Sequence, residues 1–210
     1  MVSNIAYAIR DSNGDVIKPP TILTDDIPGA SRQYSSPSVG QLNNHQVLVA
    51  FTRVEDGVYD LYYFVLNSDG GIIKSMTNLS NDGTTSVKFG ADIAQFSTGN
   101  IAVAWNTSVD VRVTVLDTSF NRIVDPVSVS HPAMRFSSWM LSMSLSLAPD
   151  TTGHVALTWS DPDRNNSSHL YYALFNSDGS IQTPPMIFRA SDNGIMTGAQ
   201  GYSSASYTFN

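Results

Sequence analysis

The sequence contains no cysteine, which excludes disulfides, thiolate metal centres and a thiol nucleophile together. It is also poor in charge. Asp, Glu, Lys and Arg make up 14% of the residues, against roughly 25% in an ordinary soluble domain. There are only three lysines, Lys18, Lys74 and Lys88, and one glutamate, Glu55. Long charged helix formers are therefore scarce, and a helical protein is not expected. Basic charge is outnumbered, 11 residues against 18 acidic ones, for a net charge of −7. Nucleic-acid phosphates and anionic membranes both require a basic surface, so neither partner is expected. No stretch approaches the ~20 consecutive apolar residues of a membrane span. Met1-Val2-Ser3-Asn4 has neither a basic segment nor an apolar run, so it does not read as a secretory leader. The Gly-x-Ser-x-Gly elbow and the glycine-rich phosphate loop are missing too. The four histidines, His45, His131, His154 and His169, show no zinc-ligand spacing.

What is present is repetition. Val47-Leu48-Val49-Ala50-Phe51, Ile101-Ala102-Val103-Ala104-Trp105 and Val155-Ala156-Leu157-Thr158-Trp159 are one short strand written three times. Phe51, Trp105 and Trp159 fall at a constant interval of 54 residues, and Val39, Ile93 and Leu147 follow the same interval. A fixed period of this size denotes one supersecondary unit stacked on copies of itself. Four strand types emerge on alignment. The first leads into Val39, Ile93 or Leu147; the second is the apolar strand above. The third is Leu61–Leu66, Val111–Leu116 or Leu170–Phe175, and the fourth starts at Ile72, Ile123 or Ile181. Asn67-Ser68-Asp69-Gly70 and Asn176-Ser177-Asp178-Gly179 join the third and fourth strands, with glycine supplying positive φ. In the second unit Asp117-Thr118-Ser119-Phe120-Asn121 stands there, and Asn121 is expected to take the left-handed role.

Antiparallel four-stranded units of about 50 residues that bury both faces against their neighbours are β-propeller blades. The predicted fold is all-β: one propeller or propeller-fragment domain over 1–210. Its blades fall at approximately 34–81, 86–130 and 142–191. Residues 1–26 read as third and fourth strands, and 195–210 as a first strand, of a shared or partial fourth blade. Two readings follow. Four blades close into a ring, or the chain is a piece of a larger ring. The second exposes strand edges, so self-association through blade edges is expected, with two copies completing a ring of about eight blades as one version.

Ser36-Pro37-Ser38-Val39, the apolar strand ending in an aromatic residue, the Leu-Tyr-Tyr strand and the Asn-Ser-Asp-Gly turn together resemble the propeller repeats of large secreted or surface bacterial exoproteins. The resemblance covers nearly the whole chain on a short, degenerate motif. It implies an extracellular or cell-surface location and a binding or assembly role without catalysis. A carbohydrate-binding, lectin-like propeller with a glycan ligand is the alternative, and a glycoside-active enzyme the second. The Asp-Gly turn also resembles the Asp-box of sialidase blades, but the serine directly precedes Asp69 and Asp178. No sialidase arginine cluster or tyrosine nucleophile can be placed, so that chemistry is not carried over.

Candidate site residues are few. Phe136, Trp139 and Met140 sit in a connection longer than its counterparts and have no repeat equivalents, which suggests a ligand or partner surface as readily as a loop tucked over the core. Asp11, Asn13 and Asp15 place oxygens at alternate positions, as a calcium loop does. They also form a strand-joining turn, which is the stronger reading. Asp161 and Asp163 lie in a second acidic loop, with carboxylates recurring at Glu55, Asp56 and Asp110 in the equivalent loops. Calcium is therefore the one candidate cofactor. Trp105 and Trp159 read as packing residues rather than sugar-stacking platforms.

Overall fold

The computed structural model describes residues 3–24, 32–81, 86–129, 144–162 and 168–187. The described residues form strands and turns, with no helix among them. β1 (Ala6–Arg10) pairs with β2 (Val16–Ile22) in a two-stranded sheet. Three four-stranded antiparallel sheets follow in chain order. The first is β3 (Gln33–Gln41), β4 (Val47–Glu55), β5 (Val58–Leu66) and β6 (Ile72–Asn78). The second is β7 (Lys88–Gln95), β8 (Ile101–Thr107), β9 (Val111–Leu116) and β10 (Arg122–Ser128). The third is β11 (Leu145–Pro149), β12 (His154–Pro162), β13 (Ser168–Asn176) and β14 (Ile181–Ile187). Each is a simple meander in which every strand pairs with its sequence neighbour, as a blade requires. The expected first strand within 195–210 lies outside the described residues.

Two compact units divide the chain, Met1–Ala91 and Asp92–Asn210. In the first, Tyr34, Val49, Phe51, Phe64 and Leu66 of the β3–β6 sheet pack with Ile5 and Leu23, which flank the β1–β2 hairpin. In the second, Leu147, Val155, Leu157, Trp159 and Phe175 pack with Ala94, Phe96, Ala102, Ala104 and Val115. The second strand of each blade carries this core because it is paired on both edges and covered on both faces. Every residue of β8 is buried. Phe51, Trp105 and Trp159 are 0%, 0% and 1% exposed, so the packing reading of the two tryptophans holds. No ring face is left for a sugar.

The turns repeat as closely as the strands. Between third and fourth strands, Gly14 N donates to Asp11 O, Gly70 N to Asn67 O, Phe120 N to Asp117 O and Gly179 N to Asn176 O, all at 2.9–3.0 Å. Gly14, Gly70 and Gly179 hold φ of 88°, 76° and 80°. In the second unit the left-handed residue is Phe120, at φ 63°, and not the expected Asn121. The side chain of Phe120 is buried, and burying a phenyl ring offsets the roughly 1–2 kcal/mol that the left-handed backbone costs.

Between first and second strands of the third blade, Asp150 Oδ1 accepts from Thr152 N (2.9 Å) and His154 N (2.7 Å), while Oδ2 accepts from Thr152 Oγ1 (2.6 Å) and contacts His154 Nδ1 at 2.9 Å. Burial alone would raise the Asp150 carboxyl. The hydrogen bonds from Thr152 and His154 outweigh it and hold the group well below the usual carboxylate range. A depressed folded value contributes stability above the unfolded value of ~3.9, and that contribution is lost as pH falls below it. Asp150→Asn is therefore expected to cost about 1–3 kcal/mol at pH 7. The gap in Tm between variant and native protein narrows when both are melted at pH 3. An unchanged gap at pH 3 would remove the ionised Asp150 from the account.

Candidate functional site

The densest polar arrangement among the described residues sits at one end of the β3–β6 sheet, where β4 turns into β5, β6 leaves and β3 enters. The turn itself is tight. Asp56 and Gly57 both take positive φ, 52° and 78°, the pattern of a two-residue I′ hairpin, whose twist matches that of the flanking strands. The acidic loop expected at Glu55-Asp56-Gly57 is thus a hairpin turn, and its register sets Arg53 opposite Asp60 and Glu55 opposite Val58.

Around that register the side chains form a continuous network. Glu55 is bridged by Arg32 Nε at 2.6 Å on one oxygen and by Arg53 Nη2 on the other. Arg53 Nη1 donates to Tyr62 Oη (3.2 Å), and its guanidinium lies 5.0 Å from the centre of the Tyr62 ring. Asn78 Nδ2 donates to Asp60 Oδ2 (3.1 Å), and Ser80 Oγ donates to Asp60 Oδ1 (2.9 Å). Lys88, fully buried, places Nζ 3.4 Å from Asp60 Oδ1 and donates to the carbonyls of Tyr59 (3.1 Å) and Ser86 (3.3 Å). Arg53 Nε is buried without a hydrogen-bond partner. Two arginines, a lysine, two carboxylates, an amide, a hydroxyl and a tyrosine thus converge at one blade end, with the Glu55 side chain 37% exposed. Planar donors and acceptors beside an aromatic ring suit recognition of a polar, hydroxyl-rich ligand.

A smaller version recurs in the second unit. Asp110 is held by Arg112 Nε, 3.2 and 3.1 Å from its two oxygens, and accepts from Thr107 Oγ1 at 2.5 Å. The carboxylates at Glu55 and Asp110, noted above as recurring, are therefore engaged by arginine. Among the described residues no group of three or more His, Asp or Glu is close enough to hold a metal ion. Asp11 Oδ1 accepts from Asn13 N and Asp15 N, both at 2.9 Å, which is the turn chemistry of its position. Of the second loop, Asp161 is described by its backbone alone, in register with His169, and Asp163 lies outside the described residues. So do Phe136, Trp139 and Met140.

None of the network residues except Glu55 was singled out by the sequence. Repeat alignment discards residues that do not repeat, and Arg53, Asp60 and Asn78 of the first blade and Lys88 at the start of the second have no repeat counterparts. Two signals were present. Asp56-Gly57 marks a two-residue hairpin that sets Arg53 and Asp60 face to face. Lys88, one of three lysines, lies within the unit rather than in a tail.

No protein-family model matches the chain, and no curated protein matches it. Solved structures do. A protein of unknown function from Dyadobacter fermentans superposes with a TM-score of 0.55 at 12% identity, over 74% of this chain and 56% of its own. This chain thus spans little more than half of that protein's length. An endo-arabinase from Bacteroides thetaiotaomicron superposes with a TM-score of 0.51 at 12% identity, over 92% of this chain and 84% of its own. A fucose lectin from Kordia zhangzhouensis reaches 0.46 at 11% identity, over 75% and 100%, a likeness too slight to weigh. The fold is that of a β-propeller, as expected from the repeat. The expectation that the chain is not an enzyme is corrected. The fold it adopts, over 92% of its length, is one that the endo-arabinase uses.

Proposed function

We propose that this chain is a carbohydrate-active propeller module, that its working end is the polar end of the β3–β6 blade, and that it supports cleavage of a glycosidic bond in a polysaccharide. The observation that carries this reading is the Arg53, Glu55, Asp60, Tyr62, Asn78 and Lys88 network, on a fold shared with an endo-arabinase. Fold likeness alone does not assign an activity; the network supplies the chemistry. Sugar hydroxyls pair with carboxylates, amides and guanidinium groups. Glu55 is the carboxylate that a ligand reaches. Asp60, with Asn78, Ser80 and Lys88 around it, positions Tyr62 and the hairpin end. A secreted or surface location, implied by the resemblance to exoprotein repeats, suits a substrate too large to enter a cell.

The test is reducing-sugar release from a panel of polysaccharides that includes arabinan, with titration calorimetry of their oligosaccharides alongside. Glu55→Gln is expected to lower turnover by about 10²-fold or more, with Tm within about 2 °C of the native protein because the side chain is partly exposed. Binding without turnover would remove cleavage and retain carbohydrate recognition. A blank on every glycan, by both readouts, would sink the proposal.

A further inference from the structure

We infer that the substrate is an acidic polysaccharide and that a uronic-acid carboxylate takes the place of Glu55 between Arg32 and Arg53, an inference that rests on the polar end of the β3–β6 blade being the carbohydrate site. The clamp already holds a carboxylate of this chain. Arg32 Nε, at 2.6 Å, takes one oxygen of Glu55, and Arg53 Nη2 takes the other. Two guanidinium groups on the two oxygens of one carboxylate form an arrangement that selects planar anions. Glu55 thus marks the shape and charge of what fits there.

One donor of the clamp is unused. The Nε–H and the neighbouring Nη2–H of a guanidinium point the same way and suit a carboxylate through two parallel hydrogen bonds. Arg53 gives Glu55 only Nη2, and its Nε is buried without a hydrogen-bond partner. A buried donor left unmade is costly. The Glu55 carboxylate is placed by its own strand and shared with Arg32, so it leaves Nε unmet. A ligand carboxylate carries no such tether and can take Nη2 and Nε together.

Glu55 can leave without the clamp collapsing. Its side chain is 37% exposed, whereas that of Arg53 is 13% exposed. Arg53 is fixed from its other side. Nη1 donates to Tyr62 Oη, the guanidinium lies over the Tyr62 ring, and that ring stacks on the fully buried Phe51 with centroids 6.4 Å apart. Asn78 Nδ2 donates to Tyr62 Oη as well, at 3.4 Å. A cation held this way loses little freedom when a ligand arrives. The Asp110–Arg112 pair of the second unit is the contrast. Asp110 is 7% exposed and also accepts from Thr107 Oγ1, so it is built in rather than exchangeable. The exchange at Glu55 frees its carboxylate beside the bound sugar, so recognition of the acid and release of Glu55 are one event. A neutral polysaccharide brings no carboxylate to displace it.

Titration calorimetry of the full chain with tetramers of galacturonate, mannuronate and glucuronate, each as the free acid and as its methyl ester, tests this. At least one free acid is expected to bind about tenfold or more tighter than its own ester. Arg32→Gln, at a side chain 30% exposed, is expected to erase that preference, and so is Arg53→Lys, which keeps the charge and loses the fork. Arg10→Gln, which removes the same charge from the β1–β2 turn, should keep it. Glu55→Gln removes the internal competitor, so acid affinity is expected to rise by about threefold or more while turnover falls. An acid bound no better than its ester, a preference that survives Arg32→Gln, or a Glu55→Gln variant that fails to bind the acid more tightly overturns the inference. Binding of neutral glycans in those cases leaves carbohydrate recognition standing. Tetraglutamate bound as tightly as the best uronate would make charge alone the determinant and overturns it too. No binding of any glycan, acidic or neutral, removes the site itself.

Discussion

Trp159→Ala is expected to lower stability by about 3–5 kcal/mol, the range for deleting a fully buried indole from a packed core. At roughly 2–4 °C per kcal/mol for a chain of this size, Tm falls by about 6–20 °C. The argument rests on position. Trp159 is 1% exposed, stacks on Tyr171 with ring centroids 5.6 Å apart, and lies in the cluster with Leu147, Leu157 and Ala104. A void that size cannot be refilled by small movements of the strands, which are fixed by ladder hydrogen bonds on both edges. Trp105→Ala should cost about as much, since Trp105 occupies the same place in its blade and is 0% exposed. Val109→Ala, at a position 59% exposed, supplies the control and should stay within about 0.5 kcal/mol. Thermal melts of the three variants decide it. A tryptophan variant no less stable than the Val109 control would show that the indoles are not the core of their blades.

Lys88→Met is expected to cost about 3 kcal/mol, nearly as much. Lys88 has no exposed surface, and its ammonium is held by Asp60 and two backbone carbonyls. Methionine keeps the stem's bulk and removes the charge, so the loss reports the electrostatic part rather than a cavity. Asp60 then keeps Ser80 and Asn78 as partners but loses its cation. Adding Asp60→Asn should recover part of the loss, so that the double variant is more stable than the sum of the single effects by about 1 kcal/mol or more. Denaturant unfolding of both single variants and the double variant measures this coupling directly. Strict additivity would separate Lys88 from Asp60 and dissolve the network on which the proposed site depends.

The blades were legible in the sequence because they repeat. A second strand buried on both faces has to be apolar throughout, so Val47–Phe51, Ile101–Trp105 and Val155–Trp159 stand out against a Ser-, Thr- and Asn-rich background. Turn chemistry was legible for the same reason at Gly70 and Gly179, and misled at Phe120. There a residue of poor left-handed propensity is held by tertiary burial, which local sequence does not express. The polar network was hidden because its residues, in the first blade and at the start of the second, depart from the repeat. Arg53 and Asp60 become neighbours only once Asp56-Gly57 is read as a two-residue hairpin, and Asn78, Ser80 and Lys88 join them from β6, its exit and the start of β7.

Amide hydrogen exchange probes the three-fold equivalence of the inner strands more directly than any substitution. The amides of 48–51, 102–105 and 156–159 should form one slow class, slower than the outermost strands at 72–78, 122–128 and 181–187. If the three apolar strands instead exchange in separate classes, or if any of them exchanges as fast as its outermost neighbour, the chain is not built from equivalent blades around buried second strands.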